Sequence, residues 1–530
     1  MLNGGGEKIA VKGSAKELLS MKHSKREPLT HCLYRNAATI RANHRRAPNL
    51  TFIGFGTMGR ALKRVGGMAL IVTSLAGVVG CNQESAEILT SNGESQDHSA
   101  NESAPIVSIT SGKDTFAAIM QDGSVKAWGN ANNGGDQFSV DSLALDSVDS
   151  LALDNVAHLV SNGRAFAALL EDGSVKVWGD RRFGGSQDEV KALNIVNAKE
   201  IVSNDKAFAA LMEDGTVRVW GDNRFGGDQQ AFSTLNLRNV RKIVSTSAAF
   251  AAIKTDGSVT VWGDTLRGGN QSQVDAFNIN NAYDIVSTPG AFAALLRNGS
   301  VKVWGDREKG GHQADVNLLD MGHVVSIVGN HAAFAALSKD GIVNVWGDDK
   351  YGGNQQRLDS LEIRDAKRLF SNNKVFGALL SDGKVKVWGD KFHGGNQEEI
   401  NALGFANPTK ITANHWAFAA LLENGSVRVW GNNYYGGNQQ EVNARIGNAK
   451  VRQIVSNSSA FAALLEDGSV RVWGHTRYGG KQAEVDALDI KNTRQIVSND
   501  QAFAAVLSDG SIKVWGASSH GGNQVHIDSW

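Results

Sequence analysis

Ten times between Phe116 and Trp515 the chain repeats one phrase, a phenylalanine followed twelve residues later by Trp-Gly. The phenylalanines are Phe116, Phe166, Phe208, Phe250, Phe292, Phe334, Phe376, Phe418, Phe461 and Phe503, and the last paired tryptophan is Trp515. Apart from one step of 50 and one of 43, the period is 42 residues. A fixed period of this size implies stacked or ringed supersecondary units that bury their apolar faces against one another.

Residues 201–242 show what one unit contains. Ile201-Val202-Ser203 is a short β-prone run, Ala207 to Met212 a second apolar run, and Val217 to Trp220 a third with alternating character. Asp214-Gly215 separates the last two, and an Asp-Gly pair between two such runs is a hairpin signal when both turn centres accept positive φ. Each repeat therefore offers about three strands. A Gly-Gly pair follows every Trp-Gly, as at Gly226-Gly227, and a glutamine stands two residues beyond each pair, from Gln137 to Gln524. The stretch after it, such as QDEVKALNI, fits one helical turn or a short fourth strand. Both faces of the second run are apolar, as a blade between two neighbours requires. The expected fold is all-β, a β-propeller built from ten repeats of about 42 residues with about three strands each, occupying 105–530. An open β-solenoid is the rival, and the repeat pattern leaves open whether ten repeats close one ring.

FAALLEDGSVKVWGDRRFGG, residues 166–185, resembles the repeat of the regulator of chromosome condensation family, with its apolar strand, D-G turn, aromatic-Gly and Gly-rich turn. The three-strand length is also similar to the propeller of the bacterial β-lactamase inhibitor protein II. The resemblance covers residues 105–530. It implies a propeller and a range of binding roles, including small-GTPase exchange, ubiquitin-ligase modules and enzyme inhibition. The family turn usually reads Gly-Gln-Leu-Gly, and here reads Gly-Gly-Asn-Gln or similar. Family members commonly have seven blades, against ten repeats here.

The region before the repeats reads as an address. In residues 58–81, Arg60, Lys63 and Arg64 precede an apolar stretch from Met68 to Val79, of signal-peptide length. Val78-Val79-Gly80-Cys81 resembles a bacterial lipobox, which implies lipidation of Cys81, and Asn82 after it favours the outer membrane. Residues 1–57 are read as an extension ahead of a true start at Met58, and polar, acidic 82–104 as a flexible tether. FIGFGTMG, with Gly54, Gly56 and Gly59, matches a dinucleotide-binding glycine pattern but is followed by no βαβ unit.

The 54 basic and 54 acidic residues balance, so overall charge points to no nucleic acid. Cys32 and Cys81 both lie outside the repeats, which leaves those without disulfide or thiolate metal site. No motif for a metal, cofactor or catalytic nucleophile stands out there. Features present in every repeat serve the fold. The recurrent Gln and the Asp after Trp-Gly are expected to bond loop backbone, and the basic residues of the third strand to pair with neighbouring Asp or guard a strand edge. Departures from the repeat are the better guide to a site. Trp416 stands where other repeats carry small or polar residues, and His475 and Ala517 interrupt the acidic series. The position before Gly-Gly varies as Phe183, Phe225, Tyr351, His393, Tyr435, Tyr478 and His520. With Trp416 these form a candidate aromatic binding rim. The leading expectation is a non-enzymatic, lipid-anchored propeller that binds a protein at the bacterial envelope. Alternatives are a carbohydrate-binding propeller, a lyase-like propeller enzyme, and a GTPase regulator by family analogy.

Overall fold

The computed structural model describes residues 105–143, 153, 155–235 and 237–528. The expected signal peptide, Cys81 and tether lie outside them. The described residues form ten three-stranded antiparallel sheets, each built from consecutive strands of one repeat. In the third repeat the strands are Ala198–Ser203, Ala207–Met212 and Val217–Gly221. A 3-10 turn at Asn223–Phe225 and a short helix at Gln229–Ser233 complete the unit. The segment left open as helix or strand is thus helical.

The Phe and Trp of the repeat phrase face each other across the second and third strands, as Phe208 does with Trp220. Their rings stack at 5.3 Å. Alanines beside them let the next sheet come close. One core cluster brings Ala165, Ala167, Leu169, Val175 and Val177 of repeat 2 against Ile201, Phe208, Ala210, Met212 and Trp220 of repeat 3. Each phenylalanine–tryptophan pair is therefore buried between two sheets, which is why both faces of the second strand are apolar.

The same cluster joins the tenth repeat to the first: Ala502, Ala504, Val506, Ile512 and Val514 pack on Ile109, Phe116, Ala118 and Trp128. A backbone bond accompanies it. Asp500 N–H donates to Lys113 C=O at 3.2 Å, as Ser458 N–H does to Asp500 C=O and Ser247 N–H to Pro289 C=O between successive repeats. Contacts thus run from each repeat to the next and from the last back to the first. Adjacent first strands touch one another, so these are the inner strands. Serine hydroxyls link several of them: Ser245 Oγ donates to Ser203 C=O and Ser287 Oγ to Ser245 C=O.

The third strand leaves an outer edge that the recurrent glutamine covers. Gln439 Oε1 accepts from Val429 N–H at 2.8 Å and its Nε2 donates to Val427 C=O at 3.2 Å. An unpaired edge invites association with other chains, and this side chain occupies the ladder sites of an absent fourth strand. The expectation that Gln bonds loop backbone is thus corrected: its partner is the backbone of the third strand. The Asp after Trp-Gly caps the 3-10 turn, as Asp222 does by accepting from Arg224 N–H.

Two further expectations need correction. The Asp-Gly hairpins are present, but only the glycine takes positive φ, 75° at Gly215. Gly215 N–H bonds Met212 C=O and Met212 N–H bonds Thr216 C=O, a three-residue loop ending in a left-handed glycine. The aspartate serves instead through Asp214 Oδ1, which accepts from the Thr216 N–H and hydroxyl. The opposed basic and acidic series also do not simply pair. Asp180 and Asp222 bridge to Arg182 and Arg224 in their own turns, while Arg218, Arg428 and Arg471 donate to a carbonyl of their own strand.

Candidate functional site

The candidate rim is set by an asparagine that sequence reasoning passed over. Four residues before the Phe, in the turn between first and second strands, stand Asn162, Asn204, Asn330, Asn372, Asn414, Asn457 and Asn499. Asn414 Oδ1 accepts from Trp416 N–H and Ala417 N–H, both at 2.8 Å, which fixes the turn. Its Nδ2 donates to Tyr435 C=O at 2.7 Å, which ties the turn to the 3-10 loop. The other six donate in the same way to Phe183, Phe225, Tyr351, His393, Tyr478 and His520. Every ring residue before Gly-Gly is thus held through its own carbonyl. The glycine that follows is a close approach: at Gly436, φ 106°, a Cβ would lie 2.6 Å from the Phe461 ring of the next repeat.

The loops and turns meet at one end of the strands, and the rim residues divide there into three groups. Trp416 stacks between His393, at 4.4 Å, and Tyr435, at 4.7 Å. Tyr435 in turn faces His475 at 5.7 Å, and His475 stacks on Tyr478 at 4.2 Å. Five rings from repeats 7 to 9 therefore form one ladder. His393 is buried, and its Nδ1 lies 2.9 Å from Asp390 Oδ1, which orients the ring. Burial, then the Arg477 charge, lowers the His475 pKa below the usual imidazole value, so this ring sits neutral in the stack near neutral pH. Tyr434 stands edge-on to Tyr435 and His475 and is 63% exposed, and Phe392, beside His393, is 78% exposed.

The second group is covered by cations. Arg164 and Lys206 lie over Phe183, at 4.8 and 5.4 Å, and Lys206 over Phe225 at 4.6 Å. Tyr351 stacks on His331 and has Lys309 and Lys374 each 5.6 Å from its ring. His520 stands apart and bonds Ser519 Oγ. The structure thus brings Trp416, His393, Tyr435 and Tyr478 together, and places Phe183, Phe225, Tyr351 and His520 elsewhere. It adds His475, Tyr434 and Phe392. The signal for His475 was its break in the acidic series: it makes no side-chain cap bond and joins the ladder instead.

Chemically the ladder offers ring edges, the two phenols of Tyr435 and Tyr478, and two projecting rings. Among the described residues, no group of three His, Cys, Asp or Glu could hold a metal ion.

A family model for the Regulator of chromosome condensation (RCC1) repeat matches residues 198–226, the three strands and 3-10 turn of repeat 3. Repeat 3 is thus an RCC1-like repeat. The same phrase recurs through the other nine repeats, so the RCC1-like architecture spans the whole described region. Similar solved structures include Prp20p from Saccharomyces cerevisiae, at 18% identity over 62% of this chain and 72% of that one, with a TM-score of 0.31. The ectodomain of the Physcomitrella patens receptor kinase CR4 is similar at 15% identity over 53% and 72%, TM-score 0.32. Human WBSCR16 is similar at 14% identity over 70% and 76%, TM-score 0.25. No curated protein matches the chain in sequence.

Proposed function

We propose that this chain is a non-enzymatic scaffold that docks a protein partner on the ring ladder of repeats 7–9. The observation that carries the reading is the continuous stack from His393 to Tyr478 with Tyr434 and Phe392 projecting from it. Stacked rings are rigid, so little side-chain freedom is lost when a partner covers them, and exposed aromatics beside such a base are what protein interfaces use. Prp20p is described as binding Gsp1p and histones, and this likeness supports a protein partner in kind, not in identity.

A carbohydrate is the second reading, favoured by the number of rings. Sugars lie against ring faces, however, and in the ladder the faces of Trp416, Tyr435 and His475 are turned on each other. That leaves mainly edges, which suit a protein better. The address belongs to the proposal too: the lipobox-like residues before Cys81 support a lipid anchor at the bacterial outer membrane.

Two experiments test this. In the first, Phe392→Ala/Tyr434→Ala, exposed and remote from the core, is compared with Leu266→Ala, which alters the same loop position in repeat 4. The projecting pair is expected to abolish co-purification of the partner seen with wild type, while Leu266→Ala keeps it. Equal retention by both variants would refute the site, and binding on a glycan array would favour the sugar. In the second, the intact mass of the membrane form is expected to match a triacylated chain beginning at Cys81, and an unlipidated chain would remove the anchor.

A further inference from the structure

Successive repeats share a contact on the outer edge of the third strand, and one junction reverses its charge. At four junctions a side chain of the preceding repeat accepts from the glycine amide of Trp-Gly. Glu189 accepts from Gly221 N–H at 3.1 Å, Gln273 from Gly305 at 3.4 Å, Glu399 from Gly431 at 3.1 Å and Glu484 from Gly516 at 3.2 Å. Each acceptor stands two residues after the recurrent glutamine. Between repeats 6 and 7 that position holds Arg357. Gly389 is opposite Val375, and the next amide, Asp390 N–H, bonds Lys374 C=O, so the Gly389 N–H points away from the second strand. It has no acceptor among the described residues, and the exposed Arg357 makes no ion pair there. The neighbouring indole is unpaired too. At five junctions the Trp Nε1–H donates to a glycine carbonyl of the preceding repeat, as Trp346 does to Gly310 C=O at 3.1 Å. Trp388 is 4% exposed, and its Nε1–H finds no partner. Trp220, Trp262 and Trp430 also lack this bond. Glu189 and Glu399 meet the adjoining amide at two of those junctions, and Phe232 covers the indole at the third. Only between repeats 6 and 7 do two free donors meet a cation. Trp388, Gly389, Arg357 and Gly352, whose carbonyl is the counterpart of Gly310, line one cavity of about 230 Å³.

We infer that this cavity binds a single carboxylate group, carried by a small free acid or by the end of a peptide chain. The ligand's carboxylate takes the place that Glu399 and Glu484 fill at their junctions and accepts from the Gly389 and Trp388 N–H groups. A guanidinium fork matches the two oxygens of a carboxylate, and a buried donor left unpaired is costly, so pairing both is favourable. The remaining charges limit the ligand to one such group. Lys391 lines the cavity with Arg357, but so do Asp349 and Glu398. Asp349 is held by Asn354 Nδ2 at 3.0 Å. Fixed charges therefore balance, and the two carboxylates repel a phosphate cluster or a polyanion. The volume suits a ligand of a few heavy atoms or the last residue of a chain. None of the ring ladder enters this argument, so it does not rest on the protein-docking reading.

The test is a magnetic-resonance titration of the full chain, isotope-labelled at its tryptophan indoles, with propionate and with N-acetylglycylglycine. Salt is held at about 0.15 M, where long-range attraction is screened. The indole signal that disappears in Trp388→Phe is expected to shift saturably with the acids and not with propionamide, which lacks the charge. The same signal moves in Arg357→Glu, which identifies it if Trp388→Phe does not fold. Arg357→Glu restores the acceptor of the other junctions, so it is expected to fold and to weaken binding about tenfold or more. Arg307→Gln, an exposed change outside the cavity, is expected to leave binding unchanged. Tighter binding of propionate assigns a free acid, and tighter binding of N-acetylglycylglycine a chain end. No saturable shift of the Trp388 signal with either acid, an equal shift with propionamide, undiminished binding in Arg357→Glu, or equal loss in Arg307→Gln would overturn the inference.

Discussion

A single asparagine decides where each rim ring stands. Asn414, buried, makes three bonds that hold the Trp416 turn to the Tyr435 loop. Asn414→Ala leaves buried backbone groups unpaired, so a loss of about 1–3 kcal/mol in urea unfolding is expected. Asn414→Thr should cost less, because Thr246 and Thr288 do the same work in repeats 4 and 5, donating to Arg267 and Lys309 C=O. The correspondence is telling: seven asparagines precede seven ring residues, and the two threonines precede a basic one. That pattern was legible in the sequence, but its partners stand 21 residues away and only folding shows the bond. Three glutamates make a further residue-scale case. Glu189, Glu399 and Glu441 each receive the Trp-Gly amide of the following repeat, and half-burial raises their pKa. A raised folded pKa contributes stability below the unfolded value and loses it as pH rises, so at pH 7 the ionised form is a cost. Gln273 fills the equivalent place in repeat 4, accepting from Gly305 N–H. Glu189→Gln/Glu399→Gln/Glu441→Gln is therefore expected to melt higher than wild type at pH 7. The difference should vanish below about pH 3, where the carboxyls are protonated in both states. A constant difference at both pH values would contradict this.

At the scale of the element, the three strands and the hairpin were readable because apolar runs, alternation and Asp-Gly are local signals. The turn type was not, since the choice between one and two positive-φ residues rests on how the flanking strands pair. Nor was the state of the segment after Gly-Gly. Its helix follows from Gln229 reaching back to the third strand, which leaves the following residues to turn away from the sheet. The 50-residue step has an explanation at this scale. Residues 140–147 read VDSLALDS and 148–155 read VDSLALDN, an eight-residue tandem repetition that accounts for the excess over 42. Val140, Leu143, Leu153 and Val156 are buried in one core cluster, as Val190, Leu193, Ile195 and Ala198 pack together one repeat later. Deleting 145–152 rejoins these apolar residues at the standard spacing. The deletion is expected to leave the melting temperature unchanged or raised, and a drop of several degrees would show that the extra residues are structural.

For the whole molecule, the number of repeats and their pairwise burial came directly from the period, whereas the return of the tenth repeat onto the first did not, because a period carries no information about angle. The ladder's composition was half legible for the same reason: Trp416, His393, Tyr435 and Tyr478 stood out as departures, but their separation from Phe183, Phe225 and Tyr351 depends on which lysines fold over which ring. Interfaces between repeats hold the assembly together, so Phe461→Ala, at the junction of repeats 8 and 9, is expected to cost about 3–5 kcal/mol. Burial of every phenylalanine–tryptophan pair between two sheets requires that contacts close from repeat 10 to repeat 1. Spin labels on the exposed hairpin positions 121, 466 and 508, in a chain with Cys32 and Cys81 replaced, measure this by pulsed dipolar spectroscopy. The distance from 508 to 121 is predicted to equal that from 466 to 508, as befits two equivalent neighbouring pairs. A markedly longer 508-to-121 distance would show an open array and contradict the account.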